Sequence, residues 1–361
     1  MEALAKRLVA GGDDALAFGR VGPRAGEHTA ARFVAVRAGL GTRGQRERSL
    51  ARALSTAARQ AAVDVTVGVR HLDDVDVLWL HGGCHAATME ARYRARHDGE
   101  LPADGLRLRG RHRTFAALER RALEGGARRV VCPSAMVALE LGQRYPAARE
   151  RLVVAPSGVD LDRFHPRERA AASRRLRERV RSAKHEPLIV LAARNPELKG
   201  FPALLAALAP LQHLPWRLVL AGVKRRRRWR QLARRRGLAG RVEVIGDVDP
   251  VEIAAGADLC VLPTWRDTSG LVVLEALACG TPALTTKQAG AAEVLGDGPA
   301  GRVLSSPIAR ADWTRELSKV LQAVPGGIDP QIVRSAVAGR GHGPWLDQLI
   351  GVCRELKLET P

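Results

Sequence analysis

Residues 264 to 286 read Thr264-Trp-Arg-Asp-Thr-Ser-Gly-Leu-Val-Val-Leu-Glu-Ala-Leu-Ala-Cys-Gly280, then Thr281-Pro-Ala-Leu-Thr-Thr286. The apolar run from Asp258 to Pro263 predicts a strand, and Leu271 to Leu277 predict a short helix after the Thr-Ser-Gly turn. Cys279-Gly280 predicts the end of that helix, because glycine suits the left-handed position after a helix and the following proline cannot continue it. Thr281 to Thr286 predict the next strand. This succession indicates an α/β protein with a parallel sheet.

Two carboxylates flank the turn between this strand and this helix. Asp267 precedes Thr268-Ser269-Gly270, and Glu275 follows on the helix. Backbone N–H groups at a helix start attract anions, and carboxylates accept hydrogen bonds from hydroxyls. The pattern therefore predicts a site for a sugar nucleotide, with phosphates on the N–H groups and hydroxyls on the acids. The alternative is that Asp267 only caps the helix and Glu275 is a solvated acid.

The same residues resemble a known family. Asp267 and Glu275, with seven residues between them, are similar to the paired-acid motif of retaining family 4 glycosyltransferases of GT-B fold, and Ser269 to Pro282 resembles the surrounding segment. The resemblance implies two Rossmann-like domains whose parallel sheets face a central cleft. It also implies that Glu275 holds the ribose and Asp267 the transferred sugar. The family usually has Glu as the first acid, so the shorter Asp267 leaves the sugar open.

A strand and loop upstream predict the phosphate side of this site. The unbroken apolar run from Pro187 to Ala193 predicts a buried strand, followed by Arg194-Asn-Pro-Glu-Leu-Lys-Gly200. Arg194 and Lys199 suit a diphosphate, although two solvated loop cations are the alternative. They resemble the phosphate-binding Arg and Lys of family 4 enzymes. The predicted donor-binding residues are therefore Arg194, Lys199, Gly200, Thr268, Ser269, Gly270, Leu271 and Glu275.

The N-terminal half carries two histidines beside a predicted strand end. A strand from Asp76 runs into His81-Gly-Gly-Cys-His85, and ligands lie at the carboxyl edge of open α/β sheets. The Gly-Gly-Cys-His-Ala-Ala piece resembles a loop of family 4 lipopolysaccharide-core glucosyltransferases, as Arg111 to Leu123 resembles their next helix. We predict that His85 first, and His81 second, contact the acceptor or the transferred sugar. A structural role is the alternative, and His112 is expected to play no part in the site.

The first residues depart from the family pattern. Met1 to Val9 predicts a helix and Ala15 to Gly19 the first strand, whereas GT-B N-terminal domains usually open with a strand and a glycine-rich loop. We therefore expect an N-terminal domain without its first strand, either because this sequence starts late or because the protein has lost this element. This departure favours an alternative function, a non-catalytic GT-B protein that binds a sugar nucleotide or scaffolds a partner.

Two domains are expected, because 361 residues exceed what one core usually supports. Pro156-Ser-Gly-Val-Asp160, with Phe164 after it, resembles the segment in which family members leave the first domain. The predicted domains are an N-terminal, acceptor-side domain over 1–166 and a nucleotide-sugar domain over 167–340. Residues 341–361 are predicted to form a helix that packs back on the first domain.

Composition indicates where the protein works. No apolar run is long enough to cross a membrane, the N-terminus lacks the apolar core of a signal peptide, and five scattered cysteines suit reduced thiols. We expect a protein of the cytoplasm, or one bound peripherally to the inner face of the cytoplasmic membrane. No metal-ligand spacing is present in the sequence, so neither a metal nor a cofactor is expected beside the nucleotide-diphosphate sugar donor.

The formal net charge of +20 favours anionic partners. The most basic run, Lys224 to Arg236, contains a single aromatic residue, Trp229. We predict a solvated helix face there, with contact to anionic lipid headgroups as the second interpretation and nucleic acid as the third. The resemblance, together with the basic surface, implies a nucleotide sugar and a saccharide or lipid-linked saccharide acceptor as partners, without nucleic acid. What it implies as a function is a hexosyl- or heptosyltransferase of the cell envelope that retains configuration.

Overall fold

A computed structural model describes residues 2–20, 30–69, 72, 74–323 and 327–358 of the chain. Met1, at the start of the predicted first helix, and residues 359–361 of the predicted C-terminal segment lie outside the described residues. The strands are β1 Leu16–Gly19, β2 Arg32–Ala35, β3 Val67–Gly68, β4 Val75–Trp79, β5 Ala127–Cys132, β6 Leu152–Val154, β7 Leu188–Ala192, β8 Arg217–Ala221, β9 Val242–Val244, β10 Leu259–Leu262, β11 Ala283–Thr286 and β12 Gly301–Leu304.

Helices alternate with most of these strands. The α-helices are α1 Glu2–Ala10, α2 Arg43–Gln60, α3 His85–Arg94, α4 Arg111–Arg121, α5 Ala135–Arg144, α6 Arg169–Val180, α7 Phe201–Leu208, α8 Arg226–Arg235, α9 Pro250–Gly256, α10 Leu271–Ala278, α11 Arg310–Ala323, α12 Pro330–Ser335 and α13 His342–Leu358. A π-helical turn covers Ala122–Gly126, and short 3₁₀ helices cover Pro146–Arg151, Pro166–Glu168, Ala209–Leu211 and Gly290–Val294. None of the helices in the described ranges is both long and apolar enough to cross a lipid bilayer.

The chain divides into two compact units. The first contains Met1–Thr88, Gly105–Pro156 and Gly343–Pro361, and the second contains Met89–Asp104 and Ser157–His342. Each cluster of buried apolar side chains belongs wholly to one unit, so each unit has a core of its own. The domain boundaries that the sequence predicts, after residues 166 and 340, remain predictions.

The first unit contains a four-stranded parallel sheet in the order β3-β4-β5-β6 and a separate parallel pair, β1 and β2. Side chains of α13, among them Leu349 and Leu356, are buried together with Val77 and Val131 of the sheet. Strand β3 of this sheet is only two residues long. The carboxylate of Asp76 explains this, since it accepts the backbone N–H and the hydroxyl of Thr66 at 2.9 and 2.7 Å. That N–H is therefore not available to a longer ladder.

The second unit is built around a six-stranded parallel sheet in the order β12-β11-β10-β7-β8-β9. Its central strands β7 and β10 are apolar on both faces, as the unbroken runs in the sequence predict. Strands β8 and β9 lie on one side of β7, and the next strand in the sequence, β10, pairs with the other side of β7. This reversal of strand order leaves a crevice beyond the carboxyl ends of β7 and β10, where ligands of open α/β sheets bind.

The stretch from residue 258 to 286 folds as its pattern predicts. Strand β10 leads into helix α10, which ends at Cys279, and Gly280 follows at φ +76° before β11 begins. A Cβ on Gly280 would lie 2.4 Å from Cβ of Pro330, so this glycine also allows close packing. The local signals therefore predict this strand–helix–strand unit correctly.

Candidate donor-binding site

The loop after β7 carries the two predicted cations. Arg194 is exposed and makes no hydrogen bond or ion pair to any residue in the described part of the chain. Asn195 closes a turn, since its side-chain oxygen accepts the N–H of Leu198 at 3.3 Å and its carbonyl accepts that of Lys199 at 3.1 Å. This turn leaves Arg194 in solvent at the end of β7 and directs the side chain of Lys199 toward the loop that follows β10.

Gly200 allows this loop to touch the loop that follows β10. It adopts φ +78°, and a Cβ at this position would lie 1.7 Å from the carbonyl oxygen of Pro263. Beside it, the carbonyl of Leu198 accepts the backbone N–H of Trp265 at 2.9 Å and the hydroxyl of Thr264 at 3.2 Å. The two loops at the switch point are thus joined backbone to backbone.

This contact brings together Lys199 and Asp267, which lie on different loops. Nζ of Lys199 lies 2.5 Å from Oδ2 of Asp267 and 3.3 Å from the carbonyl oxygen of Arg266. The two side chains are 20% and 19% exposed, so the ion pair is mostly shielded from water. Asp267 itself is held on both sides, because its N–H donates to Gln288 at 2.8 Å and its carbonyl accepts from Gly290 at 2.9 Å.

The side chain of Asp267 also closes the turn that precedes α10. Its Oδ1 accepts the N–H groups of Ser269 at 3.3 Å and Gly270 at 2.9 Å. These two N–H groups are therefore directed at a carboxylate, although the sequence predicts that they bind phosphate. The alternative that Asp267 N-caps α10 is not what the structure shows, because Gly270 is the N-cap residue and no side chain caps the helix.

The first residues of α10 provide the remaining donors. The N–H groups of Leu271 and Val272 have no acceptor within the helix, because the first turn of any helix leaves its donors unpaired. Leu271 is 44% exposed, so this end of the helix faces solvent. Gly270 precedes it at φ +69°, where a Cβ would lie 2.7 Å from Cβ of Ala291. The oxygen of Ser269 lies 2.8 Å from that of Ser157, which ties the turn to the segment entering this unit.

Glu275 lies one turn further along α10. Burial raises the pKa of its carboxyl to about 7, and the nearby guanidinium of Arg163 partly offsets this rise. Near neutral pH the group is therefore a mixture of acid and carboxylate, and both forms can accept hydrogen bonds from hydroxyls. Arg163 also pairs with Asp249 at 3.3 Å.

The predicted histidines belong to the first unit. His81 is exposed, and its ring lies edge-on to Trp79 with centroids 6.2 Å apart. His85 is half-buried and begins α3. Its Nε2 lies 3.2 Å from Nδ1 of His112, and the two rings stack with an interplanar angle of 17°. His112, which the sequence marks as irrelevant to the site, is therefore the direct partner of His85.

Two family models cover most of the chain. Residues 1–163 match the model described as Glycosyltransferase Family 4, and residues 186–323 match the model described as Glycosyl transferases group 1. The chain belongs to the family 4 glycosyltransferases. Both the N-terminal and the C-terminal half of this glycosyltransferase thus agree with the resemblance that its motifs predict.

Individual relatives support the same family. The lipopolysaccharide glucosyltransferase WaaG of Escherichia coli is 26% identical over 74% of this chain and 70% of its own length. The D-inositol 3-phosphate glycosyltransferase of Nocardia farcinica is 32% identical over 54% of this chain, which spans only 45% of that protein. The crystal structure of WaaG, a glycosyltransferase involved in lipopolysaccharide biosynthesis, superposes with a TM-score of 0.72 at 22% identity, covering 98% of this chain and 93% of that one. This superposition confirms the predicted GT-B fold.

The second unit of this glycosyltransferase assembles the predicted donor-side residues from three short segments, after β7, after β10 and on α10. Arg163, Ser157 and His112 lie in segments that resemble the family, but the sequence does not reveal their contacts, because their partners lie far along the chain. Among the described residues, no group of three or more His, Cys, Asp or Glu side chains is placed to hold a metal ion.

Proposed function

We propose that this glycosyltransferase moves a hexosyl or heptosyl group from a nucleoside diphosphate sugar to a saccharide or lipid-linked saccharide of the cell envelope, with retention of the anomeric configuration. The observation that carries the proposal is the meeting of two loops at the switch point of the second sheet. There Lys199 contacts Asp267 at 2.5 Å, beside the unpaired N–H groups that begin α10.

The donor would lie across this crevice with its diphosphate near the two cations. Arg194 is exposed and has no partner among the described residues, so it is available to the phosphates without breaking a contact to any of them. Lys199 would leave Asp267 for the diphosphate, and the helix N-terminus would add two N–H donors from Leu271 and Val272. Together these groups would stabilise the negative charge that develops on the departing nucleoside diphosphate, which is the main electrostatic demand of the reaction.

The two acids would orient the sugars of the donor. Asp267, once released from Lys199, has an oxygen available for a hydroxyl of the transferred sugar. Glu275 would accept hydroxyls of the ribose from its half-buried position on α10. No metal is required in this scheme, because fixed cations and helix N–H groups neutralise the diphosphate.

His85 and His81 would contact the acceptor or the transferred sugar. An envelope acceptor is supported by the relative that is a lipopolysaccharide glucosyltransferase. The relatives that act on D-inositol 3-phosphate indicate a second acceptor class, a small phosphorylated polyol. The two classes differ in size and solubility, so transfer assays distinguish them.

We also propose a cytoplasmic location with peripheral contact to anionic lipids at the inner face of the membrane. The contact surface would be the outward face of α8, together with the residues that flank it. The sequence from Gly222 to Val242 contains no acidic residue. Exposed cations on this surface that form no ion pair with described residues are Lys224, Arg225, Arg226, Arg227, Arg234, Arg235 and Arg236. Trp229 is buried against Phe201, so no aromatic ring is presented for stacking on nucleic-acid bases.

The first experiment measures thermal stabilisation by a panel of nucleoside diphosphate sugars. We expect one nucleotide to raise the melting temperature of the wild type, because a ligand that binds only the native state stabilises it. Glu275→Ala should lose most of that shift, while Glu243→Ala, on β9 outside the site, should keep it. Absence of a shift with every donor would contradict the proposed site.

The donor so identified is then tested for transfer. We expect product with a lipopolysaccharide-core saccharide, with the anomeric configuration of the donor retained in its NMR spectrum, and undiminished turnover in EDTA. Transfer only to D-inositol 3-phosphate would overturn the envelope acceptor while keeping the enzyme class. An inverted product or loss of activity in EDTA would overturn retention or metal independence respectively.

A further inference from the structure

A buried carboxylate lies beneath the histidine loop of the first unit. Glu119 on α4 is fully buried, and its two oxygens accept hydrogen bonds from backbone and side-chain donors. The donors are the backbone N–H of His85 at 2.5 Å, the hydroxyl of Tyr145 at 2.8 Å and the thiol of Cys84 at 3.3 Å. Buried acids are costly unless they are hydrogen-bonded in this way. Because the carboxylate of Glu119 is held in the core by these hydrogen bonds, we expect it to hold its hydrogen-bond donors in place as well.

The contact with His85 is a helix cap supplied from a distant part of the chain. His85 is the first residue of α3, whose leading N–H groups have no acceptor within the helix. Glu119 satisfies the N–H of His85 and interacts with that of Ala86 as well. The position of the backbone at the start of α3 is therefore determined by a side chain of α4.

The ring of His85 is fixed by the same helix. His112 and Phe115 lie on α4 three residues apart, and Glu119 follows after four more, so all three project from one helix face. His112 stacks on the His85 ring and shares a hydrogen bond with it at 3.2 Å, and Phe115 packs at a centroid distance of 5.2 Å. In that bond one ring nitrogen donates and the other accepts, so the tautomers of the two histidines depend on each other.

We propose that His112 and Glu119 are positioning residues of the transfer reaction, which together set the place, orientation and tautomer of His85. Glu119 holds the backbone of His85 and His112 holds its ring. The inference rests on the proposed contact of His85 with the acceptor or transferred sugar. In this arrangement α4 holds the imidazole of His85 in one position and one orientation. The position matters because small displacements of reacting groups lower the rate by large factors.

The test compares two replacements of His112. His112→Phe keeps a stacking ring and removes the hydrogen bond, whereas His112→Asn places an amide nitrogen close to the position of Nδ1. With saturating donor, we expect His112→Phe to lower kcat/KM for the acceptor by about tenfold or more, and His112→Asn to restore most of it. Affinity for the nucleoside diphosphate, measured by calorimetry, should stay at the wild-type value in both variants, because the proposed nucleotide site lies on the second unit.

Glu119→Gln tests the backbone contact, with Glu124→Gln as its matched control. Glu124 is an exposed acid close along the chain, paired only loosely with Arg120 at 3.8 Å. We expect Glu119→Gln to lower acceptor kcat/KM by about tenfold with nucleoside diphosphate affinity unchanged, and Glu124→Gln to behave as wild type. If Glu119→Gln fails to fold, the two His112 variants decide the question alone.

His85→Ala separates the possible failures. Full activity of His85→Ala overturns its proposed contact, and this inference with it. Loss of activity in His85→Ala, with wild-type kinetics in His112→Phe, overturns the inference alone. A comparable fall in affinity for the nucleoside diphosphate in His112→Phe also overturns it, because the damage would then be a general structural one.

Discussion

Glu275 combines a proposed role in the donor site with a raised pKa. Burial raises its pKa from 4.5 to about 7. Because the folded pKa exceeds the unfolded one, the folded state binds the proton more tightly, and this stabilisation is complete below about pH 4.5 and lost as pH rises through about 7. We expect the free energy of unfolding of Glu275→Gln to lack this loss of stabilisation. The difference in stability between variant and wild type should therefore change between about pH 4.5 and pH 7. Denaturant titrations at several pH values measure it.

The matched control for this prediction is Glu243→Gln. Glu243 has a side chain that is 39% exposed and is only 4.0 Å from Arg217, outside the site. It should reproduce the wild-type dependence on pH. A Glu275→Gln curve parallel to that of the wild type would show that Glu275 titrates at its ordinary value.

The ion pair between Lys199 and Asp267 makes a second residue-scale prediction. If Lys199 binds the diphosphate as proposed, the carboxylate of Asp267 would compete for Lys199 and would also repel the phosphates. Asp267→Asn should therefore bind a nucleoside diphosphate about fivefold more tightly, which corresponds to about 1 kcal/mol for a partly shielded pair. Transfer from the complete sugar nucleotide should nevertheless fall by about tenfold or more, since the amide is a weaker acceptor for the sugar hydroxyls.

Calorimetry with the nucleoside diphosphate and steady-state turnover separate these two effects. Lys199→Met provides the control, because it should weaken nucleotide binding both in the wild type and in Asp267→Asn. Weaker binding of the diphosphate to Asp267→Asn than to the wild type would rule out competition by the carboxylate.

At the scale of elements, the site depends on the close approach of the loops after β7 and β10. Gly200→Ala would place a Cβ 1.7 Å from the carbonyl oxygen of Pro263, which forces the loops apart. Gly222, after β8, has nearly the same φ of +79° but no neighbour closer than 3.9 Å. We expect Gly222→Ala to cost about 1 kcal/mol from backbone strain alone, and Gly200→Ala about 3 kcal/mol or more.

Unfolding by denaturant measures both glycine variants, and donor binding provides a second readout. Gly200→Ala should lose the contact that delivers Lys199 to Asp267, so its donor affinity should fall, while Gly222→Ala should bind as the wild type does. Equal stabilities for the two variants would show that the close approach of the loops adds nothing to the strain of a positive φ.

At the scale of the whole molecule, the net charge of +20 is concentrated in part on α8. We expect the protein to sediment with vesicles containing phosphatidylglycerol and to remain free with neutral phosphatidylcholine vesicles. Replacing Arg226, Arg227 and Arg234 by Gln should weaken the binding about tenfold or more, since each cation near an anionic surface contributes about 1 kcal/mol. Salt should weaken it in the same way.

A triple variant of equal charge controls for net charge. Arg43, Arg46 and Arg52 are exposed on α2, and their replacement by Gln changes the charge by the same amount at another place. Vesicle binding should then stay near the wild-type value. An equal loss in both triple variants would indicate a diffuse effect of net charge, and binding to RNA at physiological salt, but not to vesicles, would assign α8 to nucleic acid.

Much of the donor side was determined by the sequence alone, because its signals are local. The apolar runs of β7 and β10 fit only strands buried on both faces, and Gly280 followed by proline ends α10. The motif from Ser269 to Pro282 indicated the family, and membership of the family implied the GT-B fold. These features depend on neighbours in the chain, so a single sequence can contain them.

Only the tertiary structure decided which of these side chains meet. Lys199 and Asp267 are joined because a glycine lets two loops touch, and the same fold turns the N–H groups of Ser269 and Gly270 onto Asp267. His112 lies against His85 because α4 packs beside the start of α3, a contact between distant segments with no local pattern to announce it. Periodicity predicts which face of a helix is buried, but the partner of a polar side chain depends on how elements are packed, and that is settled only when the whole core forms.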